Sequence, residues 1–433
     1  MASERKPAGR VAWGQPCGKH PPTMWTTYAV PARATATCFA LILLAFWLAG
    51  FVPAGWDGTW AGHIVRLQPH AVDRFFPFDA AWYQRIATDG YSWDPSQPAV
   101  KQDIAFFPLW PVLLRLAAWC TPTPEAARWG AVAMSAAFAF ASVCALHRLT
   151  QQTLPARAAG TATWLYALSP AASFLLLSYP TGLMNLLCSL ALLAVLRRRF
   201  WSAALCAGLV TASGPLGLGT GMAVWVCAAR DRIPSLRSGS PRRIAGAVAR
   251  LVALGVVAVS GLAGFLLWQL VVLGDAFAFI KAQGAWATPL PWLARIPRAI
   301  EQVLILPDFG IGFAYGVHAL HARNLVALQA ELEKGLHNAA LGLVVLMCVL
   351  CSRALPRVVT YQGIFTLALF IWFHSTSRPG NSTLRLTYCV MTTCPGFALL
   401  LQDKPGLARC ACGVSAAMLF SAALLTACGY HVV

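Results

Sequence analysis

Acidic residues are scarce in this chain: 15 Asp and Glu stand among 433 residues, against 33 Lys and Arg. Charge of either sign is scarce too, at 11% of residues, where a soluble protein carries roughly a quarter. Such a chain cannot cover a soluble multi-domain surface with polar groups. Strands of alternating polarity are missing, which removes the support for a β-barrel. No tract interleaves bases with aromatics on a polar face, so the net charge of +18 predicts no nucleic-acid partner. The 14 cysteines lack metal spacing. Cys410-Ala411-Cys412 and the Cys348/Cys351 pair have no second pair of ligands beside them. Neither a metal site, a disulfide framework nor a cofactor is expected, and a metal requirement stays open. A short apolar region with a small-residue cleavage site is missing from the head of the chain, so the first apolar segment is expected to be a retained anchor.

What is present is apolar sequence. Hydrophobic residues make up 58% of the chain, in stretches that recur to the C-terminus, and a bilayer core needs about 20 of them per helix. Backbone groups in lipid must bond within their own segment. The predicted fold is therefore all-α: a polytopic transmembrane bundle of about 9–11 spans, short or broken helices included. The basic clusters Arg5 to Lys19, Arg197-Arg198-Arg199 and Arg230 to Arg250 are read as cytoplasmic. Residues 1–33 form a cytoplasmic basic tail and 34–433 a single transmembrane domain. Within that domain, 54–125 is a first outer loop and 274–334 a second outer region. Ser213-Gly214-Pro215 should break the long apolar run from Trp201 to Ala229 into two short helices. Single spans are expected near Ala158–Leu176, Val248–Leu273 and Leu384–Leu401.

Five of the 15 acids, Asp73, Asp79, Asp89, Asp94 and Asp103, fall in the first outer loop. Such a concentration in a chain that avoids acids marks a candidate site. Two readings of Asp79 stay open. It can be the N-cap of a three-turn helix that Gly90 closes. It can also be a general base at a membrane surface, beside Trp82, Tyr83, Phe106 and Phe107. Asp103 is either a second functional carboxylate or a solvated loop residue.

The run Phe78-Asp79-Ala80-Ala81-Trp82-Tyr83 to Gly90-Tyr91, followed by Ala105-Phe106-Phe107-Pro108, resembles the first luminal loop of the GPI mannosyltransferase II family and its bacterial relatives. Leu168-Ser169-Pro170-Ala171 with Tyr179-Pro180-Thr181, Gly274-Asp275-Ala276-Phe277 to Gln283, and Leu384 to Tyr388 are similar to later stretches of that family. The resemblance implies a multi-span GT-C-type glycosyltransferase, here a mannosyltransferase. Its donor would be a sugar on a polyprenyl or dolichyl phosphate and its acceptor the hydroxyl of a glycan or glycolipid. Transfer would occur on the non-cytoplasmic face, with inversion. By motif, Asp79 is the implied base. Lys281, Arg378, Arg385 and Arg74 are outer-side cations that could hold the donor phosphate. Trp82, Tyr83, Phe106 and Phe107 would line the substrate pocket. The expected location is a bacterial inner membrane with the N-terminus cytoplasmic, or the endoplasmic reticulum membrane in a eukaryote.

The chain departs from the family pattern twice. Thr211-Ala212-Ser213-Gly214-Pro215 stands where an arginine is usual, and Thr181-Gly182 replaces an acidic step. A non-catalytic relative serving as a subunit of a glycosyltransferase complex is therefore one alternative. A membrane transporter or lipid flippase, hinted at by the helix break at Gly214, is the other.

Overall fold

The computed structural model describes residues 24–51, 71–97, 99–285, 291, 341–374 and 383–427. Most of the second outer region, and Arg378, lie outside the described residues. All regular structure within them is helical, as the composition requires of a chain that must satisfy its backbone in lipid.

Helix α1 (Met24–Ala49) leads into a 3-10 turn at Ala71–Phe75 and then α2 (Asp79–Asp89). A second 3-10 turn, Asp103–Ala105, precedes α3 (Leu109–Trp119). Helix α4 (Pro124–Thr153) has 30 residues, about 45 Å of rise. Its start is well specified. The Thr123 hydroxyl accepts from the Ala126 N–H at 3.1 Å, Pro124 occupies the first helical position and Glu125 follows. This satisfies an otherwise orphaned amide and places negative charge at the positive end of the helix dipole.

The next run does not form one span. Helix α5 (Ala156–Ala167) stops before Ser169-Pro170. A 3-10 turn at Pro170–Ala172, the single turn α6 (Ser173–Leu176) and α7 (Thr181–Leu196) follow. The chain bends by 102° between Pro170–Leu176 and α7. Helices α8 (Phe200–Thr211) and α9 (Gly217–Ser238) flank the break expected at Ser213-Gly214-Pro215. The Val248–Leu273 run also divides, into α10 (Pro241–Ala258) and α11 (Ser260–Leu273), bent by 64°. After Gly274, which ends α11 in the left-handed region at φ 73°, comes α12 (Ala278–Gln283). Leu341–Leu350 is α13, and α14 covers Arg357–His374.

The expected single span Leu384–Leu401 is instead two pieces, α15 (Thr383–Thr387) and α16 (Thr393–Leu400). Its irregular middle is held by Gln362, a fully buried side chain on α14. The Gln362 amide donates to the Cys389 carbonyl at 2.8 Å and accepts from the Met391 N–H at 2.9 Å. Unwound backbone is tolerated at membrane depth where protein supplies its partners. Helix α17 (Pro405–Ala427) closes the described fold and packs along α1.

Among the described residues, α1, α4 and α17 are each long and apolar enough to cross a membrane, and the two bent pairs raise the number to five. Shorter apolar helices, α3, α8, α13 and α14, fill out the bundle. Large apolar side chains face outward along it, among them Val252 at 60% and Val271 at 75% exposure. The chain is thus an integral membrane protein whose exposed apolar faces suit lipid.

The two ends differ in chemistry. At one end Arg198 pairs with Asp231, and Arg230 donates to the Tyr361 hydroxyl at 3.0 Å. At the other, the Leu109 N–H donates to the Ala212 carbonyl at 3.0 Å, joining the first loop to the tip between α8 and α9. Gln283 donates to the Ala105 carbonyl at 3.1 Å, and the Ser178 N–H to the Phe75 carbonyl at 2.9 Å. The acid-bearing loop is therefore built into the end opposite the arginines.

Candidate active site

Asp79 is the first residue of α2, and the cap position before it belongs to Phe78. The N-cap reading of Asp79 is thereby corrected: the cap residue is Phe78, whose side chain makes no capping hydrogen bond. The other end is as expected, with Gly90 at φ 86° and its N–H donating to the Ile86 carbonyl at 3.0 Å. Phe78 holds φ 50°, a region that costs a non-glycine residue on the order of 1–3 kcal/mol. A strained residue directly before the candidate base must be held there by its surroundings.

Tyr179 supplies part of that hold. Its hydroxyl accepts from the Asp79 N–H at 3.1 Å and donates to the Pro77 carbonyl at 3.0 Å, clamping both sides of Phe78. Ser178 anchors the same segment, since its carbonyl accepts from the buried Trp110 indole at 3.1 Å.

Released from capping, the Asp79 carboxylate meets Arg385 of α15, Oδ2 to Nη1, at 2.8 Å. Both side chains are mostly covered, at 20% and 16% exposure. The guanidinium also lies over the rings of Tyr179, at 4.9 Å, and Phe174, at 5.6 Å. Cation–π contact of this kind suits the planar, weakly hydrated guanidinium. Tyr83 stands edge-on to Tyr179 at 6.2 Å. Burial raises the phenol of Tyr83 above the ordinary tyrosine range, opposed by the nearby Arg385 charge and aided by that of Asp79. It remains a neutral hydroxyl.

Arg385 reaches this position because α15 is short and broken. Three residues on, Tyr388 stacks on Tyr166 at 4.7 Å and donates to its main-chain carbonyl at 2.6 Å. The break at 388–392 and this stack fix where α15 ends.

The predicted aromatic residues also gather. Trp82 stacks on Phe106 at 5.8 Å, and Tyr83 meets Phe106 edge-on at 5.1 Å. Phe107 turns away to pack on Phe265 and Phe279. Phe106 and Phe107 are themselves buried, so they form the wall beneath the site.

Asp103 is not a solvated loop residue; it is fully buried. Its carboxylate accepts from the Ser92 N–H and hydroxyl, each at 2.8 Å, and pairs with Arg85 at 3.2 Å. The Tyr91 hydroxyl donates to the Phe106 carbonyl at 2.9 Å. Asp103 thus ties the chain after α2 to the segment that carries Phe106 and Phe107.

The other predicted cations are engaged elsewhere. Lys281 pairs with Asp275 at 2.6 Å, and Asp275 also accepts from the Phe277 N–H at 3.0 Å. The Gly274-Asp275-Ala276-Phe277 stretch is thereby a turn that Lys281 closes. Arg74 donates to the Phe46 carbonyl of α1. Asp73 pairs with Arg128. No group of three or more metal-ligating side chains occurs among the described residues.

Tyr179 and Phe174 were not singled out as site residues from the sequence. Tyr179 did lie within a stretch similar to the mannosyltransferase family, and this was the one available signal.

No family model matches the chain, and no curated protein does. Solved structures similar to the chain at low identity include two membrane enzymes. The oligosaccharyltransferase of Archaeoglobus fulgidus, tethered with an acceptor peptide containing the NVT sequon, is 12% identical with a TM-score of 0.37 over 94% of this chain. ArnT from Cupriavidus metallidurans in the apo state is 12% identical with a TM-score of 0.47, over 93% of this chain and 76% of its own. The chain spans 56% of the length of the oligosaccharyltransferase. Likeness at this level assigns no family.

Proposed function

We propose that this chain is an integral membrane glycosyltransferase. It moves a sugar, mannose by sequence resemblance, from a polyprenyl or dolichyl phosphate to a hydroxyl of a glycan or glycolipid. The observation that carries the reading is the Asp79–Arg385 pair. It joins a carboxylate and a guanidinium from the first loop and a late helix, beside aromatic rings, at the end of the bundle away from the arginine clusters.

In this reading the Asp79 carboxylate takes the proton of the acceptor hydroxyl as its oxygen attacks the anomeric carbon. The bond from that carbon to the carrier phosphate breaks, its electron pair leaves on the phosphate oxygen, and the configuration inverts. Arg385 carries five N–H donors, so one guanidinium can bridge Asp79 and the departing phosphate and balance the charge gathering there. Asp103 serves as a positioning residue, and Arg385 is the cation that meets the donor phosphate. The working membrane is a bacterial inner membrane, with Asp79 outside.

A second reading, a non-catalytic subunit, draws on Thr181, which stands in place of an acid and is largely buried at the start of α7. The deciding experiment is turnover by the purified chain with polyprenyl-phosphate mannose and a glycan or glycolipid acceptor. Transfer that is lost in Asp79→Asn supports the enzyme. Donor capture without transfer in the native chain favours the subunit, and neither capture nor transfer returns attention to transport.

A further inference from the structure

The arginine end of the bundle holds a cavity of about 450 Å³ between α9 and α10. Arg232 of α9, Gly239 of the intervening turn, and Arg243, Gly246, Ala247 and Arg250 of α10 line it. Arg243 and Arg250 are seven residues apart, close to two helical turns, so they project from one side of α10. Gly246 and Ala247 lie between them on that side and leave the space between the two guanidiniums unfilled. A Cβ at Gly246 would meet no atom within 4 Å.

Among the described residues, no carboxylate lines the cavity. The nearest acid in sequence, Asp231, is taken by Arg198. Three guanidiniums from two helices facing one solvent-accessible cavity make its potential positive and attract an anion. The start of α10 adds to the field, because Ser240 makes no side-chain cap to its first-turn amides and the helix dipole is positive there. Guanidinium forks match phosphate oxygens in pairs, and the volume falls within the usual range of about 300–1,000 Å³ for small-ligand sites. Val248, Val252 and Val256, exposed at 47%, 60% and 63%, lie on the opposite side of α10 and leave the arginine side to the cavity.

We propose that this cavity is a phosphate-binding site, separate from the Asp79–Arg385 pair, for the head group of an acidic phospholipid or for free phosphate. Native mass spectrometry of the full chain in neutral detergent tests it, with phosphatidylglycerol, phosphatidylcholine and inorganic phosphate as probes. Arg243→Gln/Arg250→Gln should weaken anion binding at least about tenfold. Gly246→Leu, which puts a branched side chain between Arg243 and Arg250 and keeps every arginine, should weaken it as well. Arg197→Gln/Arg199→Gln, an equal loss of charge elsewhere on the same end, should not. Retention of phosphatidylglycerol over phosphatidylcholine, unaffected by inorganic phosphate, assigns the lipid head group. Binding of inorganic phosphate alone, with displacement of the lipid, assigns free phosphate. Undiminished binding in Gly246→Leu, or equal losses in the two arginine pairs, would reduce the cavity to general basic attraction and overturn the proposal.

Discussion

Asp79 stands where a capping residue is expected and does something else. Because Phe78 takes the cap position at a strained φ, the carboxylate is free to meet Arg385. Asp79→Asn keeps the side-chain volume and removes the proton acceptor. Turnover of a lipid-linked donor should fall by roughly two to four orders of magnitude. The variant also leaves Arg385 without its carboxylate, so folding must be followed in parallel by thermal unfolding in detergent. Asp79→Asn/Arg385→Gln should recover stability and not turnover. If the double variant regained activity, the pair would be structural and the catalytic assignment wrong. Tyr179 acts through Asp79 by clamping the backbone on either side of Phe78. Tyr179→Phe should cost about 1–3 kcal/mol of stability, since two main-chain groups lose their partner. It should also lower kcat on the order of tenfold with little change in KM, as expected for a misplaced catalytic group. A stability loss with kcat untouched would make Tyr179 a structural clamp alone.

Several apolar runs that look like single spans are broken helices, and the breaks do the positioning. The unwound backbone between α15 and α16 depends on Gln362. Gln362→Leu would leave the Cys389 carbonyl and the Met391 N–H without their buried partner. Arg385 lies three residues before that break, so the substitution should reduce both stability and donor capture. Capture can be read by photo-crosslinking with a polyprenyl-phosphate sugar analogue, and normal capture in a folded Gln362→Leu protein would show that the break does not place Arg385. Close helix contact sets another limit. A Cβ at Gly219 of α9 would come within 2.6 Å of the Thr366 backbone nitrogen on α14. Gly219→Ala should therefore destabilise by about 1–3 kcal/mol through overpacking, and an unchanged unfolding temperature would contradict the packing of α9 on α14. The break at Gly214 was legible because Ser-Gly-Pro interrupts an apolar run. The breaks near Val259 and Tyr388 were not, since no proline or glycine pair marks the second and its partner, Gln362, is 27 residues away from Cys389 in sequence.

The bundle has a basic end and an end that carries the first-loop carboxylates. Translocating arginines is costly, so the basic end is expected to be cytoplasmic and the Asp79 end outside. In a background stripped of reactive native cysteines, Asp94→Cys should react with an impermeant maleimide from the outer face, and Ser240→Cys should react only after permeabilisation. The reverse pattern would place the candidate site on the wrong side for a lipid-linked donor.

Composition, 58% hydrophobic residues with 11% charge, determined that this chain belongs in a bilayer, and the lack of strands of alternating polarity left helices to satisfy its backbone there. The clustering of carboxylates and the order of motifs also pointed to the first loop, to Asp79 and to Arg385 separately. Only the tertiary structure decided that these two residues meet, that Tyr179 and Phe174 enclose them, and that Asp103 is a buried tie. The physical reason is distance along the chain. A helix cap, an apolar run or a glycine-proline break is written in neighbouring residues. A contact between positions 79 and 385 depends instead on how α2 and α15 are set by the helices packed between them.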